Sequence, residues 1–200
     1  YQQQWLPIPQ LTDDTWTIAD KTSMAIKAKL ERLGKPLKDW DIQIYRGILT
    51  GFNEAFIIDT PTKERLCAED PKSAEIIKPI LRGRDIKRYQ ANWSGLWLIN
   101  THNGIRNKNV PRIDVVKNYP AFKHLKQYET QLIKRQDKGT HWTNLRNCAY
   151  IKDFEKEKII YGEIVQTASF YYDKDCYYPE ATSFLITGYG IQLIFLLLNS

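Results

Sequence analysis

Short apolar segments separated by turn-forming residues constrain the fold of this 200-residue chain more than any other feature of its sequence. Their short length, their β-branched and aromatic content, and the Gly, Pro and Asp residues between them are typical of strands. We predict strands at 41–48, 96–99, 158–161, 169–172 and 183–187. The chain is therefore expected to be rich in strands toward both of its ends.

Two segments have helical patterns instead. Asp20 is a typical N-cap for a helix that runs to about Leu33, and Gly34 then ends that helix. Pro120 begins the second helix, which carries apolar residues at core spacing as far as Leu132. Strands and helices together predict an α+β fold, in which a mixed or antiparallel sheet is flanked by helices.

The net charge of +6 is distributed unevenly along the chain. Residues 78–112 contain eight basic side chains and a single acid, Asp85, and residues 117–146 contain seven basic and two acidic side chains. The segments before and after this basic block are net acidic. Such a block is typical of a surface that faces phosphates, although a solvated basic face without a partner would have the same composition. Asparagines lie among the cations, and Asn and Arg are the side chains that pair with adenine and guanine edges.

Two other classes of function stay open at this point. Asp70 together with Asp85 and Lys87 resembles the two carboxylates and one lysine of Mg²⁺-dependent nucleases. Asp70 followed by Pro71 is also a typical helix start, and we favour that structural interpretation. A protein-interaction module is the other alternative, because six Trp and twelve Tyr exceed what a small core requires.

No catalytic motif is present in the sequence. A strand–glycine–helix cofactor motif, the Asn-Pro-Pro-aromatic motif of amino-methyltransferases, a P-loop and a nucleophile elbow are all absent. The three cysteines and three histidines are scattered, so we expect reduced thiols in a cytoplasmic protein and no metal site. The most apolar segment, near 191–198, is too short to cross a membrane, and we expect no membrane partner.

Two longer strings carry a family resemblance. Residues 45–56 read Tyr-Arg-Gly-Ile-Leu-Thr-Gly-Phe-Asn-Glu-Ala-Phe, and residues 77–89 read Ile-Lys-Pro-Ile-Leu-Arg-Gly-Arg-Asp-Ile-Lys-Arg-Tyr. Together they resemble the TaqI-like C-terminal specificity domain of type IIG restriction-modification enzymes and adenine-specific DNA methyltransferases. Further similarities are Tyr119-Pro120 with Arg135 after it, an aromatic patch at Trp142, and the Leu-Asn-Ser tail at 198–200.

The resemblance implies sequence-specific binding of double-stranded DNA by residues 39–200, a target-recognition domain, with residues 1–38 as a connecting segment that contains one helix. It also implies that this chain has no catalytic site of its own. A catalytic domain elsewhere in the same protein would transfer a methyl group from S-adenosylmethionine to adenine, and some relatives also carry an endonuclease domain.

Candidate DNA contacts come from the two strings and the basic block. We expect a strand–turn–strand around Gly47 and Gly51, with 56–58 as the returning strand, to project Thr50 and Asn53 toward base edges or phosphates. The long cations are expected to contact phosphates, and Asp85 to fix one of the arginines by a salt bridge. The full set of predicted DNA-binding residues is Arg46, Thr50, Asn53, Arg82, Arg84, Lys87, Arg88, Asn103, Arg106, Lys108 and Trp142.

Overall fold

A computed structural model describes residues 18–200, and its contacts divide the chain between Asp41 and Ile42. The first unit contains helix α1 (Lys21–Leu33) and a 3-10 turn at Leu37–Asp39. The Asp20 carboxylate caps α1 by accepting hydrogen bonds from the backbone N–H groups of Thr22 (2.8 Å) and Ser23 (3.0 Å). The helix predicted from Asp20 to Leu33 is therefore confirmed. The first part of the predicted connecting segment, residues 1–17, lies outside the described residues.

The second unit, Ile42–Ser200, contains all the strands of the described chain and most of its helices. The strands are β1 (Ile42–Arg46), β2 (Ile57–Asp59), β3 (Ile77–Leu81), β4 (Ile86–Lys87), β5 (Gln90–Ala91), β6 (Leu96–Ile99), β7 (Lys158–Gly162), β8 (Phe170–Asp173), β9 (Tyr178–Pro179) and β10 (Ser183–Gly188). The helices are α2 (Asn53–Phe56), α3 (Thr60–Glu69), α4 (Val115–Asn118), α5 (Ala121–Lys126), α6 (Glu129–Lys134) and α7 (Ile191–Leu198). Short 3-10 turns lie at Pro71–Glu75, Gly83–Asp85, Arg106–Lys108 and Ile151–Glu155.

The first sheet is antiparallel throughout and has the order β1-β10-β7-β8. A buried ion pair joins its last two strands, where Lys158 lies directly opposite Asp173 and their charged atoms are 2.5 Å apart. Both side chains are fully buried. The Lys158 ammonium also donates to the carbonyl oxygens of Phe154 and Lys156, and the carboxylate accepts from two backbone N–H groups. The pair is therefore fully hydrogen-bonded, as a buried charge pair must be to be tolerated.

The second sheet has the order β2-β6-β3-β9, and its final pair, β3 with β9, is parallel. Buried side chains of helices α2, α5 and α6 and of this sheet belong to one hydrophobic core. Fully buried members of that core are Phe56, Leu66, Ile80, Leu98, Leu125, Leu132 and Phe154. An antiparallel sheet and a mixed sheet packed with helices confirm the predicted α+β class. Between residues 18 and 200, no helix has the length and apolar content needed to span a bilayer.

The end of α7 is tied back to the first sheet by Asn199. Its side-chain amide pairs with the backbone of Phe170, accepting from N–H (3.2 Å) and donating to C=O (3.1 Å), so it continues the edge of β8. The Asn199 carbonyl oxygen accepts from the guanidinium of Arg88 and from the hydroxyl of Tyr89 (3.1 Å). These bonds give the asparagine of the Leu-Asn-Ser tail a structural role.

Three predicted local features are wrong. The segment 41–58 is no hairpin, because β1 pairs with β10 while β2 pairs with β6 in the other sheet, and a helical turn, α2, lies between them. The helix expected after Asp70 is only a 3-10 turn, since Ile77 and Pro79 belong to β3. The long helix from Pro120 is divided into α5 and α6 at Gln127 and Tyr128; of its expected core residues, Leu125 and Leu132 are buried, and Phe122 and Tyr128 are partly buried.

Candidate nucleic-acid interface

Three segments that are distant in sequence meet between the two sheets. Residues 47–48 and 81–83 both bond to residues 179–183: Gly47 N–H donates to Ser183 C=O, and Ile48 N–H donates to Pro179 C=O, each at 2.7 Å. Glu180 N–H donates to the carbonyl oxygen of Leu81 at 2.7 Å. We call this meeting point the junction. It joins the two strings that carry the family resemblance through a third segment.

Two glycines make the junction possible, because the chains approach too closely for any side chain. A Cβ atom on Gly47 would lie 2.1 Å from the carbonyl oxygen of Glu180, and one on Gly83 would lie 2.6 Å from that of Thr182. Both contacts are with backbone, which cannot move aside easily. The glycines of the two strings are therefore required by backbone packing.

Arg135 supports the junction from the helical side. It is buried and donates hydrogen bonds to the carbonyl oxygens of Thr50, Trp142 (2.7 Å) and Asn144 (2.8 Å). Its guanidinium lies over the ring of Phe56, 4.9 Å from the centroid. Burial lowers the pKa of Arg135 from its ordinary value. A single cation thus fixes the backbone of the first string and of the loop after α6.

An open cleft of about 430 Å³ lies beside the junction. Its lining residues are Asn53, Ile57, Arg82, Gly83, Arg84, Glu163, Ile164, Glu180 and Thr182. Glu180 is buried, and its carboxylate accepts from the Asn53 amide (3.3 Å) and from the N–H and hydroxyl of Thr182 (3.1 and 2.6 Å). Arg84 is exposed and has no hydrogen-bond or ion-pair partner within residues 18–200. The cleft is therefore lined by a cation without an internal partner, Arg84, and by an acid whose two carboxylate oxygens are both hydrogen-bonded, Glu180.

The predicted salt bridge of Asp85 is confirmed, and its partner is Arg82. The Arg82 guanidinium donates to both carboxylate oxygens (3.1 and 3.2 Å), and the Arg82 backbone N–H and the Ser94 hydroxyl donate to one of them. Burial opposes ionisation of Asp85, but the hydrogen bonds and charge of Arg82 outweigh it, so the pKa of this carboxyl is lowered. Asp85 thus serves to hold the turn that presents Arg84.

Both carboxylates of the nuclease alternative have structural roles. Asp85 is committed to Arg82, and Asp70 accepts from the Lys72 backbone N–H at 2.9 Å as an N-cap. In the part of the chain that the structure describes, no three His, Cys, Asp or Glu side chains are placed to share a metal ion.

The first string departs from its predicted role. Thr50 is only 2% exposed, and its hydroxyl donates to Asn53 (2.5 Å) and accepts from the Phe52 N–H (3.2 Å). The prediction that Thr50 projects toward DNA is therefore wrong, because its side chain is buried and its hydroxyl is bonded within the turn. Asn53 is exposed at the cleft, but both ends of its amide are engaged, by Thr50 and Glu180. Arg46 is paired with Glu163 at 3.1 Å and also donates to the Ala181 carbonyl oxygen.

The remaining predicted residues fall into two groups. Arg88, Asn103 and Trp142 make internal contacts: Arg88 binds Asn199, Asn103 bridges the backbone of Thr140 and Leu145, and Trp142 packs against Phe122 with ring centroids 5.9 Å apart. The side chains of the other group are exposed and have no hydrogen-bond or ion-pair partner among residues 18–200. Its members are Lys87, Arg106 and Lys108, to which Arg84 is added from the cleft.

Sequence reasoning missed three residues of this site. Glu180 and Thr182 reach the cleft only because β9 and β10 bring residues 179–183 to the junction, and nothing in their local sequence marks them. Ile164 lines the cleft from the loop between β7 and β8. Its signal is the pair of adjacent branched apolar residues, Ile164 and Val165, in a loop between two strands.

The structure thus defines a class: an α+β domain with a cation-bearing cleft where two glycine-dependent segments meet. A family model described as the TaqI-like C-terminal specificity domain matches residues 78–200, which is more than half of the chain. The chain therefore belongs to this family, and the resemblance found in the sequence is confirmed.

A solved structure has the same overall fold. It is titled as the type IIL restriction-modification enzyme MmeI in complex with DNA, and it aligns with a TM-score of 0.59 at 11% sequence identity. The alignment covers 83% of this chain and 21% of that chain, so the chain spans about a fifth of that enzyme's length. At this identity the likeness concerns the fold alone. The search of curated proteins found no match.

Proposed function

We propose that this chain binds double-stranded DNA in a sequence-specific manner, as the target-recognition domain of a restriction-modification enzyme. The observation that carries the proposal is the cleft at the junction, where the two strings typical of a specificity domain come together and Arg84 is left without an internal partner. A shared fold with MmeI, which was solved in complex with DNA, supports it.

The unpartnered cations contact different parts of the DNA, three of them the phosphates and one of them a base. Lys87, Arg106 and Lys108 are exposed on short turns and strands, where flexible charged side chains neutralise phosphates without reading sequence. Arg84 differs because its turn is fixed by the Arg82–Asp85 pair and by the contact of Gly83 with Thr182. A guanidinium held on a fixed turn is preorganised for the bidentate contact to O6 and N7 of guanine.

We further propose that the whole protein is an adenine-specific methyltransferase that uses S-adenosylmethionine, in the cytoplasm, with this chain beside its catalytic domain. The basis is the resemblance of the two strings to type IIG enzymes and adenine methyltransferases. Helix α7 offers a surface for such a domain: Leu193, Leu196 and Leu197 are each more than half exposed and share one helical face. The chain itself is proposed to contribute binding and no catalytic group.

The experiment starts from the whole natural protein and a random duplex library, which identifies the preferred sequence. Affinity for that duplex and for a scrambled one is then measured over a range of salt concentrations, for the natural protein and for Arg84→Ala. If Arg84 reads a base, the variant lowers the ratio of specific to non-specific affinity by about 5- to 150-fold. If it only neutralises a phosphate, both affinities fall together and the salt slope decreases by about one.

Arg65→Ala is the matched control, because Arg65 is an exposed arginine that is already paired with Glu69 at 2.9 Å. It should leave both affinities unchanged. The proposal would be contradicted if the natural protein enriched no sequence, or if Arg84→Ala behaved like Arg65→Ala in both measurements.

A further inference from the structure

The loop that connects β7 to β8, residues 163–169, begins at the rim of the cleft, where Glu163 and Ile164 belong to its lining. It reads Glu-Ile-Val-Gln-Thr-Ala-Ser and contains no lysine or arginine, although the chain as a whole carries a net charge of +6. Its one acid, Glu163, is paired with Arg46. We call residues 163–169 the rim loop. Its composition is poorly suited to phosphates, which are bound mainly by cations.

The start of the rim loop is held firmly in place. The Glu163 backbone N–H donates to the Thr182 carbonyl oxygen at 2.9 Å, while its carboxylate binds the Arg46 guanidinium. Val165 packs so closely on Gly162 that a Cβ atom there would lie 2.9 Å from the Val165 side chain, and Gly162 also lies against the Gly83 backbone. Glu163, the residue before Ile164, is thus anchored to the junction, and Val165, the residue after it, is half exposed and packs on Gly162.

Between Glu163 and Val165, Ile164 points away from the protein. It is 94% exposed, the largest exposed fraction among the large hydrophobic side chains that the structure describes. A single exposed apolar residue is common on protein surfaces. Ile164 differs in that its backbone is fixed at the edge of a cleft that also contains the unpartnered Arg84.

Two polar residues follow Ile164 in the same loop. Gln166 and Thr167 are exposed, and neither has a hydrogen-bond partner among residues 18–200. The Gln166 amide, whose donor and acceptor are both free, therefore lies two positions after the exposed side chain of Ile164.

This pair of groups matches one base pair. A glutamine amide accepts from the adenine N6 amino group and donates to N7, and an apolar side chain contacts the thymine C5-methyl group, which lies on the same major-groove edge. We propose that the rim loop reads an A·T pair in the major groove, with Gln166 on adenine and Ile164 on the thymine methyl group. This inference rests on the proposed function.

The test replaces atoms of the DNA as well as residues of the protein. With the whole natural protein and its selected duplex, deoxyuridine is substituted for each thymine in turn, which removes only the C5-methyl group. The natural protein should lose about fourfold in affinity at one position, the effect of one buried methyl group. Ile164→Ala should lose affinity on the thymine duplex and show no further loss with deoxyuridine at that position.

A second arm tests Gln166. Gln166→Ala should lower affinity for the selected duplex by about 5- to 150-fold, and a new selection should show that the preference for the same A·T pair is lost. Neither variant should change the salt slope, because no phosphate contact is removed. Ile133→Ala and Gln127→Ala, exposed residues of the same types elsewhere in the chain, are the controls.

The outcomes separate the two proposals. If the natural protein selects no sequence, the proposed function fails and the rim loop has no duplex to read. If it selects a sequence but both loop variants bind like their controls, the proposed function stands and the role of the rim loop is overturned. Thermal unfolding of each variant shows whether a loss of binding comes from misfolding, which is not expected at exposed side chains.

Discussion

Replacing Arg135 by methionine tests whether one buried cation holds the junction together. The substitution keeps a long apolar side chain against Phe56 but removes the donors that bind the carbonyl oxygens of Thr50, Trp142 and Asn144. Those oxygens have little access to water, so each is left without a partner.

The expected cost follows from these three bonds. A hydrogen bond from a charged donor contributes about 1.5–3 kcal/mol, which gives an upper range of roughly 5–9 kcal/mol for three. Methionine regains apolar packing and removes the desolvation cost of the guanidinium, which offsets several kcal/mol. We therefore expect Arg135→Met to lower the free energy of unfolding by about 3–5 kcal/mol, a large part of the roughly 5–15 kcal/mol typical of a domain.

Urea unfolding followed by tryptophan fluorescence measures this difference. With a slope of about 2 kcal/mol per molar urea, the midpoint should fall by about 2 M. Lys134→Met, one residue earlier at the end of α6, is the matched control, because Lys134 is exposed and its side chain has no partner among the described residues. A difference of less than about 1 kcal/mol between the two variants would refute the assignment of Arg135 as the anchor of the first string.

Two further predictions concern groups away from the cleft, a buried ion pair and a partly buried thiol. Lys158→Met alone should lower the free energy of unfolding by about 3–5 kcal/mol, because it leaves the buried Asp173 carboxylate unpaired. The double variant Lys158→Met with Asp173→Asn should recover most of that loss in urea unfolding. Equal destabilisation of the single and double variants would contradict this account. Burial raises the pKa of the Cys148 thiol to about 11, so at pH 8 only about one molecule in a thousand carries the reactive thiolate. Mass spectrometry after brief iodoacetamide treatment at pH 8 should therefore find the exposed Cys176 labelled and Cys148 unlabelled. Labelling of Cys148 should increase as the pH approaches 11. Equal labelling of the two thiols at pH 8 would contradict the raised pKa of Cys148.

Local structure could be predicted wherever a few neighbouring residues determine it. The cap at Asp20, the strand at 96–99 and the salt bridge of Asp85 all depend on partners nearby in sequence or on simple periodicity, and all three are confirmed. The family assignment was also accessible, because the two strings contain glycines that backbone packing requires.

The pairing of strands and the environment of the site could not be predicted in the same way. Residues 41–58 form no hairpin because β1 pairs with β10 and β2 pairs with β6, and both partners lie further along the chain. Thr50 is buried in a turn whose backbone is bound by Arg135, 85 residues later. No property of the sequence around Thr50 indicates that contact.

The ratio of affinities for the selected duplex and for a scrambled duplex of equal composition tests the central claim most directly. It should be measured for the whole natural protein at low and at physiological salt. Sequence-specific recognition predicts a ratio of about 10³ or more at physiological salt, which persists while both affinities decrease with added salt. A ratio near one at both salt concentrations would mean that the basic surface binds DNA only through its phosphates, and it would contradict target recognition.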